Sequence, residues 1–67
     1  MMAITVNGEP QSAPQGQTIL GLLQQLELDP ARVAVELDRS IVQRQAWDRT
    51  PVGPGATLEI VQFVGGG

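Results

Sequence analysis

Between residues 18 and 30 the chain sets Ile19, Leu22, Leu23 and Leu26 at helical spacing along one face, with Gln24, Gln25 and Glu27 opposite. This stripe constrains the fold more than any other feature. A lone amphipathic helix cannot bury its own apolar face, so a second layer must close over it. Thr18 is the candidate cap at the start. Asp29-Pro30 is the stop, because the residue before a proline avoids the α region. The spacing predicts a helix of about ten residues whose leucines face a core.

The second layer is legible as strands. Met2, Ile4 and Val6 alternate with Ala3 and Thr5, the pattern of a half-buried strand. Asn7-Gly8 follows at once, a pair that tolerates the positive φ of a tight hairpin turn. The return strand, Glu9 to Ala13, contains Pro10 and is followed by Pro14; neither can donate to a ladder, which confines it to a sheet edge. Gln15-Gly16-Gln17 reads as a loop. Val33, Val35 and Leu37 alternate with Ala34 and Glu36 as a third strand, Asp38-Arg39-Ser40 makes a turn, and Ile41-Val42-Gln43 is a short fourth strand. Arg44 to Arg49, around Trp47, reads as irregular or a single helical turn. Pro51-Val52-Gly53-Pro54-Gly55 is a tight loop. Thr57 to Val64 is the last and longest strand, with Leu58 and Ile60 against Glu59, Val61 and Phe63.

The last strand is apolar on both sides and rich in β-branched residues, so its place is central, beside the first strand. One helix following a hairpin then covers one face of the sheet. The expected architecture is α+β: a β-grasp (ubiquitin-like) fold with a mixed four- to five-stranded sheet packed on one helix. Residues 1–64 form this domain, and residues 65–67 a flexible C-terminal glycine tail. Sixty-seven residues bury only roughly 60% of the unfolded surface, and there is no cysteine to add a disulfide. Leu, Ile, Val and Phe supply 19 of the 67, enough for a core and too many for a disordered chain.

Absences narrow the function. The chain has no His, Cys, Lys or Tyr. The usual zinc sites, a Cys–His pair, an imidazole base, a side-chain Schiff base and a P-loop are therefore excluded. The serines lack an activating base, and the seven carboxylates sit singly in turns or at solvent-facing positions, the pattern of solvated surface charge. A stand-alone enzyme is not expected, nor a metal site. A net charge of −3 argues against nucleic acid as a partner. The longest apolar stretch, Ile19 to Leu23, is far short of the ~18 residues of a membrane span. No basic region followed by an apolar run opens the sequence. The expectation is a soluble cytoplasmic domain, monomeric when free.

The tail is the remaining feature. Gly65-Gly66-Gly67 follows directly from a patterned strand. The bland reading is a frayed terminus. The functional reading is that side-chain-free residues thread a narrow channel and let a partner's backbone approach closely. The reacting group would then be the terminal carboxylate, which is ionised at pH 7 and a poor electrophile until activated, most simply as an acyl-adenylate. Three extended glycines reach roughly 10 Å, enough to enter another protein's active site. Ordering them costs about 1–2 kcal/mol each, so the partner must also grip the folded domain.

These residues resemble the ThiS family, the ubiquitin-like sulfur carriers of thiamine biosynthesis. The resemblance spans nearly the whole chain: the opening strand with Asn7-Gly8, Gly16-Gln17-Thr18 with the leucine helix, Val35-Glu36-Leu37-Asp38 leading into Ile41-Val42 and Arg44, Trp47, and Gly66-Gly67. The stretch from Asp38 to Trp47 is its most specific part. Departures lie in turns: Asp38 where Asn is common, Gln43 where Pro often precedes the Arg, and Gly55-Ala56 where Gly-Asp is usual. The resemblance implies that an E1-like adenylyltransferase (ThiF-like) activates Gly67 with ATP and Mg, neither held stably by this chain. A cysteine desulfurase or persulfide carrier would supply sulfur to form a thiocarboxylate, and thiazole synthase (ThiG-like) would accept it. Gly65 and Gly66 would thread the partner's active site. Phe63, Val64 and an apolar patch on the exposed sheet face are the candidate partner contacts, with core packing the competing reading for Phe63 and Trp47. Arg44 is a candidate for docking an acidic partner, against a plain role in solubility. Alternatives on the same fold are carriers for molybdopterin, tRNA thiolation or cysteine synthesis. A protein modifier, or an interaction module with an inert tail, represents other classes.

Overall fold

The computed structural model describes residues 1–63. The expectations for Val64, Gly65, Gly66 and Gly67 lie outside the described residues. Five strands form one sheet: β1 (Met2–Val6), β2 (Glu9–Ala13), β3 (Val33–Leu37), β4 (Ser40–Val42) and β5 (Thr57–Gln62), with a helix α1 (Ile19–Gln25) between β2 and β3. The strand order is β2-β1-β5-β3-β4. β1 and β5 run parallel and the other pairs are antiparallel, so the sheet is mixed, as the β-grasp reading requires. The last strand is central and the proline-bearing β2 is at an edge.

The core lies between the sheet and α1. Ile19, Leu22 and Leu23 are fully buried, and they meet Met2, Ile4 and Val6 of β1, Val33 and Val35 of β3, and Leu58 and Ile60 of β5 in one cluster. Thr18 caps the helix as expected, its Oγ1 accepting from the Gly21 N–H at 3.1 Å. Two more orphan donors of the first turn, the N–H groups of Ile19 and Leu20, donate to the carbonyls of Thr50 and Trp47 at 3.0 and 3.1 Å. The loop around Trp47 therefore closes the helix's start. Trp47 itself is buried, and its indole Nε1–H donates to the Val42 carbonyl at 2.9 Å. Core packing is the correct reading for Trp47.

Three boundaries differ from those expected. The helix has seven residues rather than about ten. Glu27 takes a left-handed φ of 59°, its N–H donating to Gln24 and that of Leu28 to Leu23, at 3.0 and 2.9 Å. This is a Schellman ending, which folds Leu28 back toward the core with glutamate where glycine is usual. Secondly, Asp38 and Arg39 are both left-handed, at φ 49° and 73°. They make a two-residue turn by themselves, so Ser40 pairs with Leu37 as the first residue of β4, and Gln43 leaves the strand to precede a 3-10 turn at Arg44–Ala46. Thirdly, β5 ends at Gln62, short of Phe63.

Candidate functional site

The alternation of a strand decides what the free face of this sheet carries. In β5, Leu58 and Ile60 point into the core, which leaves Glu59 and Val61 on the far side, followed by exposed Phe63. In β3, Val33 and Val35 take the core and Ala34 and Glu36 the far side. Register then assembles two rows across that face: Val61 lies opposite Ala34, and Glu59 lies opposite Glu36, which lies opposite Ile41. Together these residues line a groove with Val35 at its floor.

The face carries exposed aliphatic and aromatic side chains. Ile41, Val61 and Phe63 are 73%, 59% and 53% exposed. Burial of Phe63 in the core, the competing reading, is thereby overturned: its side chain is a surface group beside the groove's strand. The row beside it places two carboxylates, Glu36 and Glu59, directly across from one another, an arrangement that disfavours the sheet. The face thus combines exposed aliphatic side chains with a facing pair of carboxylates.

Sequence reasoning placed a patch on this face without naming Ile41, Glu36 or Glu59. The signal for Glu36 and Glu59 was their parity within strands; the pairing that juxtaposes them needs the register. Among the described residues no group of three or more His, Cys, Asp or Glu side chains is poised to hold a metal ion. Arg44 is exposed. No helix of the described residues is long and apolar enough to cross a membrane.

β5 is also the element that delivers the chain to its last residues. Phe63 N–H donates to the Arg32 carbonyl at 2.7 Å, fixing the strand's far end against the 3-10 turn Pro30–Arg32. The exposed groove and the exit of β5 thus share one strand. Val61 of the groove lies four residues before Gly65 in the sequence.

Comparison with known proteins agrees with this geometry. A family model described as the ThiS family matches residues 4–67. The sulfur carrier protein ThiS of Escherichia coli K12 is 32% identical over 66 residues, covering 98% of this chain and 100% of that one. A thiazole synthase of Magnetococcus marinus is 39% identical over 66 residues, covering 98% of this chain and 20% of that protein. The chain thus spans about a fifth of that relative's length. A crystal structure of the thiamine biosynthesis protein ThiS from Geobacter metallireducens superposes with a TM-score of 0.85 at 35% identity, over 98% of this chain and 100% of that one.

Proposed function

The chain belongs to the ThiS family of sulfur carrier proteins of thiamine biosynthesis, and from that premise we propose that Gly67 is the residue that carries the sulfur. The observation that supports this most is the conjunction of a family match running through residue 67 with a last described strand that lines an exposed apolar groove.

The chemistry starts from the carboxylate. At neutral pH it is an anion and resists nucleophiles. An E1-like adenylyltransferase (ThiF-like) overcomes this by joining a carboxylate oxygen to the α-phosphate of ATP, with Mg, releasing pyrophosphate. The terminal sulfur of a persulfide, borne by a cysteine desulfurase or another persulfide carrier, attacks the acyl carbon and displaces AMP. A second thiol then cleaves the sulfur–sulfur bond, leaving a thiocarboxylate on Gly67 and a disulfide on the donor. Thiazole synthase (ThiG-like) accepts the sulfur. That a relative named thiazole synthase contains a segment similar to this chain supports the choice of acceptor. This chain contributes no catalytic group. It is a protein co-substrate whose Gly65 and Gly66 pass through the partner's active site while Phe63, Val64, Val61 and Ile41 meet the partner's surface. Because it has no Lys, it cannot form lysine-linked chains, which separates it from a polymerising modifier.

Intact mass is the test. After incubation with a ThiF-like enzyme, ATP and a persulfide donor, the protein gains the mass difference between one sulfur and one oxygen. Deleting Gly67 abolishes the gain and leaves the far-UV circular dichroism unchanged. An unaltered mass with an enzyme shown to be active on another ThiS protein refutes the proposal.

A further inference from the structure

The chain has a single asparagine, and glycine follows it. That pair is chemically labile as well as turn-forming. The Gly8 nitrogen attacks the Asn7 carboxamide carbon, since glycine has no side chain to hinder the approach. A new C–N bond closes a five-membered succinimide and the Cγ–Nδ2 bond breaks. The Gly8 N–H proton passes through water to the departing nitrogen, which leaves as ammonia. Water then opens the ring at either carbonyl, so that aspartate or isoaspartate stands at position 7. Water and a mild base are the only reagents.

Packing does not shield this turn. Asn7 and Gly8 are both exposed, and nothing lies within 4 Å of the position that a Gly8 Cβ would take. The restraint comes from the asparagine side chain itself. The parallel ladder joins Thr5 to Thr57 and Val6 to Leu58, and the chain then turns at Asn7 and Gly8, whose φ values are 51° and 81°. Asn7 Nδ2 donates to the Ile60 carbonyl at 3.0 Å, and its Oδ1 accepts from the Ile60 N–H at 2.7 Å. The carboxamide thus adds one rung between β1 and β5, across 53 residues of sequence. Held at both polar atoms, it cannot swing over its own following peptide, where the Gly8 nitrogen must meet its carbon. Attack waits for the clamp to open.

We propose that Asn7 is a deamidation site whose rate is set by its clamp on Ile60: the closed clamp preserves the amide, and each opening exposes it to the Gly8 nitrogen. The product cannot rebuild the clamp. Aspartate keeps an acceptor for the Ile60 N–H but turns a carboxylate oxygen, in place of a donor, toward the Ile60 carbonyl. Isoaspartate routes the main chain through the former side chain and lengthens the two-residue turn that joins Val6 to Glu9. Opening therefore leaves a permanent chemical mark, and a marked chain opens more easily. This chemistry is independent of the proposed role of Gly67.

The test incubates the full chain at mildly alkaline pH, once folded and once unfolded in guanidinium chloride. Intact mass and the tryptic fragment from Met1 to Arg32 follow the reaction. The unfolded chain is expected to gain the mass difference between an oxygen and an N–H group, located at Asn7. It does so about tenfold or more faster than the folded chain, the ratio expected when two hydrogen bonds must open together. Asn7→Gln, whose side chain would have to close a six-membered ring, gains no mass over the same period. Asn7→Asp, which is one product made directly, lowers the urea midpoint by roughly 1 M and accelerates amide exchange at Ile60. Equal rates in the folded and unfolded chains, no gain in the unfolded chain, or an equal gain in Asn7→Gln overturns the inference. So does an Asn7→Asp protein as stable as the parent.

Discussion

Glu27 is an exposed residue whose substitution by glycine should strengthen the fold. Its backbone sits at φ 59°, the left-handed position after the last turn of α1. For an L-residue that conformation costs roughly 1–2 kcal/mol, and glycine occupies it freely. Against this gain stands the greater freedom of glycine in the unfolded chain, about 0.5–1 kcal/mol. The two closing hydrogen bonds, Glu27 N–H to Gln24 and Leu28 N–H to Leu23, belong to the backbone and survive the change. Glu27→Gly is therefore expected to stabilise by about 1 kcal/mol or somewhat less. A domain of this size has only about 3–10 kcal/mol in total, so the effect is measurable. Urea unfolding followed through the fluorescence of the single, buried Trp47 reports it directly. With a slope near 1 kcal/mol/M, the midpoint rises by roughly 0.5–1 M. Glu27→Ala is the control: it retains the strained φ and should stay within about 0.5 kcal/mol of wild type. A glycine variant no more stable than the alanine variant would refute the claim that Glu27 carries backbone strain.

Two further outcomes are expected. Trp47→Phe leaves the Val42 carbonyl without its indole donor and should cost about 1–3 kcal/mol in urea unfolding followed by circular dichroism; a loss below about 0.5 kcal/mol would show that the bond contributes nothing. Glu36→Gln removes the like-charge pair with Glu59, so stability should rise by about 0.2–1 kcal/mol while affinity for the ThiF-like enzyme falls, more at low salt than at high. Affinity that is unchanged across ionic strength in calorimetry would remove the electrostatic role of this face.

The parts of the fold that were readable are those governed by near neighbours. The leucine stripe of α1 lies at the spacing of a helical face, and Ile19, Leu22 and Leu23 of it are fully buried. Asn7-Gly8 carries its turn in its own φ preferences, and Pro10 keeps β2 off the centre by lacking a donor. The boundaries that moved were those where a residue broke its usual preference. Glu27 ends a helix in place of glycine, and Arg39 shares a turn with Asp38 at positive φ. Nothing in the one-dimensional pattern marks these, because the strain is offset by packing of Leu28 and by pairing of Ser40, which are three-dimensional facts.

The same division holds for the site. Residue types narrow the chemistry: without His, Cys or Lys the usual zinc sites, imidazole bases and Schiff-base lysines are ruled out, and the family motifs are legible along the chain. Which side chains share the exposed face of the sheet is a matter of tertiary arrangement. Register set Glu36 against Glu59 and exposed Ile41, Val61 and Phe63 on one side. It also turned Asn7 from a residue that merely suits a turn into the amide that holds Ile60. The physical reason is separation. Turn and helix preferences act over a few residues, whereas the partner of Asn7 lies 53 residues away and becomes its neighbour only when β1 and β5 pair.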